Sequence, residues 1–210
     1  MDFDSEFGPA GAPNPGVRER VSPEEGLALL LDDAESQHIE ATQRAVGRAS
    51  RITDAIELAA ANPWIYAGVA RDAVAIAERA AVFEIAARLH LPEPQVRGMV
   101  SVVRIARADL PALWAVACKG FAAFAYVEGA VAAIVALRPA PGADQATTAA
   151  SADAIATFDA KVAEVASALS LTAFRARVRR LVEQLAALLG VDAASWRHAT
   201  AMTERRVIVE

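Results

Sequence analysis

Between Ala81 and Val100 the chain reads AVFEIAARLHLPEPQVRGMV, and Pro92 and Pro94 divide an otherwise continuous helical period. Ile85, Ala86 and Leu89 recur at helical spacing, and Val96, Met99 and Val100 resume it after prolines that cannot sit inside a helix. The stretch predicts helix, tight turn, helix. Ala86 is the small residue that lets a second helix cross closely. Four residues on, His90 occupies the turn position, which is usually glycine because φ is positive there; histidine tolerates that conformation better than a β-branched residue. Leu91 and Val96 are expected to be buried pins. If the unit reads DNA as a helix-turn-helix, its second helix lies in the major groove with Gln95 and Arg97 pointing outward. The alternative is a plain helical corner.

Such a unit needs a helical domain around it, and the composition supplies one. Apolar residues make up 55% of the 210, aromatics only 6%, and alanine is abundant, so helices can pack closely through thin side chains. The fold class expected is all-α, a multi-helix bundle containing the helix-turn-helix-like unit, with a short strand-like end at Arg206–Glu210. The single cysteine, Cys118, lies in an apolar run without a disulfide or metal partner and is expected as a small core residue in a cytoplasmic protein.

A net charge of −5 argues against nucleic acid until it is divided by position: residues 1–60 carry −7, while residues 61–137 and 138–210 each carry +1. Lys119 and Lys161 are the only lysines, so the cations are almost all guanidiniums, suited to phosphate or carboxylate. A GC-rich genome gives the same bias. The run Gly120–Leu137 approaches membrane-spanning length, but Glu128 at its centre and its alanine content fit a buried helix better.

Residues 1–20, rich in Gly, Pro and acidic groups and lacking the apolar core of a signal peptide, are expected to be a disordered tail. Ser22-Pro23-Glu24-Glu25 is a strong helix start. From it a long helix runs to Asn62-Pro63, with Ile39, Thr42, Val46, Ala49, Thr53, Ile56 and Ala60 in a coiled-coil-like seam that packs within the bundle or on a sister chain. Trp64, Ile65 and Tyr66 are expected to plug one end of the core. Further helices are expected over 72–89, 93–108, 114–118 and up to Leu137, then a flexible loop over 138–151, an amphipathic helix over 152–169, and one capped by Thr172. That last helix carries Arg175, Arg177, Arg179 and Arg180, which could track a phosphate backbone or form a solvated rim paired with acidic groups such as Glu164 and Glu183.

No catalytic constellation is legible. His38, His90 and His198 lie apart without ligand spacing, Asp32 and Asp33 diverge on one helix, and no nucleotide-binding loop, nucleophile elbow or zinc-protease motif occurs. No metal, cofactor, membrane or small-molecule substrate is therefore expected.

The run Glu84-Ile-Ala-Ala-Arg-Leu-His-Leu-Pro-Glu-Pro-Gln-Val-Arg, with Ile105-Ala-Arg-Ala-Asp-Leu-Pro-Ala-Leu and Leu171-Thr-Ala-Phe-Arg-Ala-Arg-Val-Arg-Arg-Leu, resembles the domain-of-unknown-function 222 region of actinobacterial 13E12-repeat proteins. The likeness covers roughly residues 25–210. It implies a helical region, followed in the family by a His-Asn-His endonuclease that this chain does not include; Pro92 also stands where the family has a serine-like cap. The expected function is thus a non-catalytic N-terminal module that binds or positions DNA, through Gln95 and Arg97 and, as auxiliary, Arg175, Arg177, Arg179 and Arg180. The rival is a scaffold or homodimerisation domain held together by the long N-terminal helix.

Overall fold

The computed structural model describes residues 22–68 and 70–190. The expected N-terminal tail, His198 and the strand-like end at Arg206–Glu210 lie outside the described residues. Seven α-helices and no strand occur among those described: α1 (Pro23–Ala61), α2 (Ala73–Leu89), α3 (Glu93–Asp109), α4 (Pro111–Cys118), α5 (Phe124–Ile134), α6 (Gln145–Ala166) and α7 (Leu171–Leu188). The fold is an all-α multi-helix bundle.

The chain divides into two units, residues 1–35 and 36–210. In the first, α1 starts with a reciprocal capping box. Ser22 Oγ accepts from the Glu25 amide at 3.1 Å, and the Glu25 carboxylate accepts from the Ser22 amide at 2.8 Å. Those amide and hydroxyl bonds from Ser22 hold the Glu25 carboxyl below its ordinary range.

In the second unit the apolar side chains collect in two clusters. The larger is built from α3 to α7 around fully buried Phe158 and Phe174, with Leu110, Leu113, Ile134 and Leu137 beside them, and takes Val46 from α1. The smaller joins Ile52, Ile56 and Ala59 of α1 to Ala81, Val82 and Ala86 of α2 and Val96 and Val100 of α3. The seam on α1 therefore packs inside its own bundle. Thr42, Val46, Ala49, Thr53 and Ile56 are buried as the spacing required, joined by Ile52 and Ala59. Thr53 turns its hydroxyl back onto the Ala49 carbonyl, so a polar residue sits in the seam without an unsatisfied group.

Several expectations are corrected. Trp64, Ile65 and Tyr66 do not plug the core: Pro63–Ile65 forms a 3-10 turn and Trp64 is 67% exposed. The smaller cluster is filled by side chains of α1, α2 and α3, Ala59, Ala81 and Ala86 among them, and none of Trp64, Ile65 and Tyr66 belongs to it. The loop after Leu137 ends at Asp144, not near residue 151, because the Asp144 carboxylate accepts from the Thr147 amide and starts α6 seven residues early. Ser151, expected in that loop, is buried and donates to the Leu137 carbonyl. Ser170, not Thr172, caps α7, since the Tyr126 hydroxyl donates to Leu169 O at 2.8 Å and fixes the chain just before it. The helix from Phe124 stops at Ile134 and tightens into a 3-10 turn through Leu137. Cys118 faces outward, one step round the helix from fully buried Ala117. Among the described residues no helix is long and apolar enough to cross a membrane.

Candidate nucleic-acid interface

The α2–α3 corner has the turn its sequence calls for. His90 adopts φ 53°, ψ 41°, the left-handed conformation. The Leu91 amide donates to Ala86 O at 3.0 Å and the His90 amide to Ala87 O at 3.4 Å, the paired bonds of a Schellman turn. Leu91 packs against the smaller cluster and Val96 is fully buried, so both act as pins. Pro92 leads into α3 without a side-chain cap; its carbonyl accepts from the amides of Gln95 and Val96.

Fully buried Val96 fixes the rotation of α3. Gln95 and Arg97, about 100° to either side, are both exposed. Arg97 is not idle: its Nη2 lies 2.6 Å from Glu93 Oε2 one turn earlier. It also stands on the rim of a depression of about 390 Å³ at the junction of α1, α2 and α3, floored by Ile56, Val82, Val100 and Ile105. Arg79, which no feature of the sequence singled out, forms another part of that rim.

The remaining arginines of α3 are structural. Arg104 bridges Glu57 of α1 at 3.2 Å and Glu78 of α2 at 3.0 Å. Arg107 reaches Asp54 at 2.7 Å and the Ser50 hydroxyl at 2.6 Å, with its guanidinium 6.0 Å from the Trp114 ring centre. The acidic groups of α1 around residues 54–57 thus meet the arginines of α3.

On α7 the arrangement differs. Phe174, Val178, Leu181, Val182, Leu185 and Ala186 are buried, and Arg175, Arg177, Arg179 and Arg180 are all exposed. None of the four forms an ion pair with a carboxylate among the described residues, so pairing with Glu164 or Glu183 does not occur there. Arg180 bonds only back to Ala176 O, while Arg175 lies close enough to Glu128 of α5 to act on its ionisation. Crowding by neighbouring helices raises the Glu128 carboxyl above its ordinary range, against the pull of Arg175. The two sets of residues expected to touch nucleic acid therefore differ in electrostatic state: Arg97 is partly neutralised, and Arg177, Arg179 and Arg180 have no carboxylate partner among the described residues.

Asp159 was missed by reading the sequence. It is buried on α6 and caps α4 across the bundle, accepting from the amides of Ala112 at 2.8 Å and Leu113 at 2.9 Å. Its signal was a carboxylate inside the apolar stripe of Ala154, Phe158 and Val162, opposite a helix whose Pro111 start cannot cap itself. Among the described residues no three His, Cys, Asp or Glu side chains are grouped to hold a metal ion. Comparisons with family models, curated proteins and solved structures gave no match.

Proposed function

We propose that this chain is a non-catalytic helical module that binds or positions DNA, as its resemblance to the region preceding a His-Asn-His nuclease implies. The observation that supports it most is the exposed run Arg175, Arg177, Arg179 and Arg180, which forms no ion pair among the described residues while Arg97, Arg104 and Arg107 do. Unneutralised guanidiniums on one helix are the electrostatic footprint of phosphate binding. The α2–α3 corner adds Gln95 and Arg97 as groups free to reach base edges, since an exposed ion pair one helical turn apart is worth only about 0.3–0.5 kcal/mol and is readily exchanged for a base contact.

Fluorescence anisotropy on a short duplex at about 50 mM and about 200 mM salt tests the reading. Replacing the four α7 arginines by alanine should weaken all sequences about equally and flatten the salt slope by up to ~0.9 for each phosphate no longer neutralised. Replacing Arg97 by alanine should cost about 1–3 kcal/mol on a preferred sequence and less on random DNA. Absence of binding by the wild-type chain at the lower salt overturns the proposal. The scaffold reading keeps one observation of its own: Leu27, Leu29, Leu30 and Leu31 of α1 are each between 58% and 69% exposed.

A further inference from the structure

Leu27, Leu30, Leu31 and Ala34 fall within about 100° of one another on α1, a leucine stripe exposed among the described residues. Contiguous exposed apolar surface on a helix marks an interaction face. Its flanks restrict what can cover it. Between Pro23 and Gln43 the helix carries Glu24, Glu25, Asp32, Asp33, Glu35 and Glu40 and no Lys or Arg. Pairing the stripe with its own twin, parallel or antiparallel, would set carboxylates against carboxylates with no cation to separate them. The acceptor must therefore be basic, and it must have room for leucines.

The outer face of α7 meets both conditions. Ala173, Ala176, Arg180 and Ala187 lie within about 60° of one another and form its exposed centre, with Arg175 and Arg179 along one edge and Arg177 along the other. Small residues allow a second helix to approach closely, and the arginine stems can lie over leucine side chains while their guanidiniums meet the carboxylates. Leu188, 83% exposed at the end of α7, extends the apolar surface. Glu183 is the helix's one carboxylate.

We infer that α7 of one copy receives the leucine-bearing start of α1 from a second copy, so that the chain self-associates head to tail. The contact is heterologous, and it leaves a donor and an acceptor free at the two ends of every open assembly. It deepens the scaffold reading, and because it is measured without nucleic acid its failure is separate from failure of DNA binding.

The test is sedimentation velocity on the full-length chain at high micromolar concentration and low salt. The wild type should sediment as a dimer or larger, and added salt should weaken the assembly. Arg177→Glu with Arg179→Glu removes the acceptor; Glu24→Arg with Glu35→Arg removes the donor. Each double variant alone should be monomeric, its association weakened about tenfold or more, with an unchanged far-UV circular dichroism spectrum showing that the helices persist. Mixed in equal amounts, the two should associate again, since the native α1 start of one meets the native α7 of the other and the two reversed faces are likewise opposite in charge. A monomeric wild type overturns the inference, as does association that survives the α7 reversals or a mixture that stays monomeric.

Discussion

His90 is the one non-glycine residue with positive φ among those described, and the conformation costs it backbone strain that glycine would not feel. His90→Gly should therefore stabilise the chain by about 0.5–1 kcal/mol in urea unfolding, the gain reduced by the extra freedom glycine has in the unfolded chain. Asp159 works in the opposite direction. It satisfies two amides at the start of α4, and Asp159→Ala leaves both without an acceptor in a place water reaches poorly; the expected loss is about 2–3 kcal/mol by the same measurement. Asp159→Asn, which keeps one acceptor oxygen, should lose less. Tyr66 and Glu84 are coupled through a bond from the phenol to the carboxylate, with Arg88 on the other oxygen. That bond holds the Glu84 carboxyl low and the Tyr66 phenol high.

At the scale of elements, the approach of α1 to the α4–α5 turn depends on Gly120. Its φ is +85°, and an added Cβ would meet Ile39 O at 2.6 Å and Gln43 Cγ at 2.8 Å. The Gln43 side-chain amide donates to Lys119 O at 3.0 Å across the same contact. Gly120→Ala should cost more than about 2 kcal/mol, because both the backbone conformation and the spacing of two helices must change. The middle of α5 carries a penalty of its own in Glu128. A carboxyl whose pKa is raised on folding binds its proton more tightly in the folded state, so stability falls as pH climbs from the unfolded pKa through the folded one. Glu128→Gln should therefore stabilise the protein at neutral pH, and the difference should vanish below pH ~4, where both states already carry the proton. An equal gain at both pH values would show that packing, not charge, is responsible.

For the whole molecule, α7 is the surface on which the two proposals meet. A phosphate backbone and the acidic start of α1 from a second copy would draw on the same guanidiniums, so the two should exclude each other there. Adding duplex DNA to the assembled chain at low salt should lower its sedimentation coefficient toward that of a single chain with bound DNA. Arg97→Ala, remote from α7 in sequence and on another helix, should leave self-association unchanged while lowering sequence preference. Loss of assembly in that variant would mean that α3 also takes part in the contact between copies.

Much of this arrangement was written in the residues themselves. The ends of α1 follow from Ser22-Pro23 and Asn62-Pro63, the α2–α3 corner from His90 and the two prolines after it, and the outward direction of Gln95 and Arg97 from the apolar period around Val96. These are local matters, decided within a helical turn or two by backbone sterics, capping and amphipathic spacing. What the sequence left open was which partners each face would find. Whether α3 or α7 keeps its arginines free depended on carboxylates 26 to 53 residues away, Glu78, Glu57 and Asp54, coming within reach of Arg104 and Arg107. Whether Asp159 was an error in an apolar stripe or the cap of a helix depended on where α4 began. The exposure of Trp64 was decided by which side chains of α1, α2 and α3 filled the smaller cluster. Charge pairing, caps between helices and burial at a helix end are long-range contacts, and only the packed tertiary structure determines them.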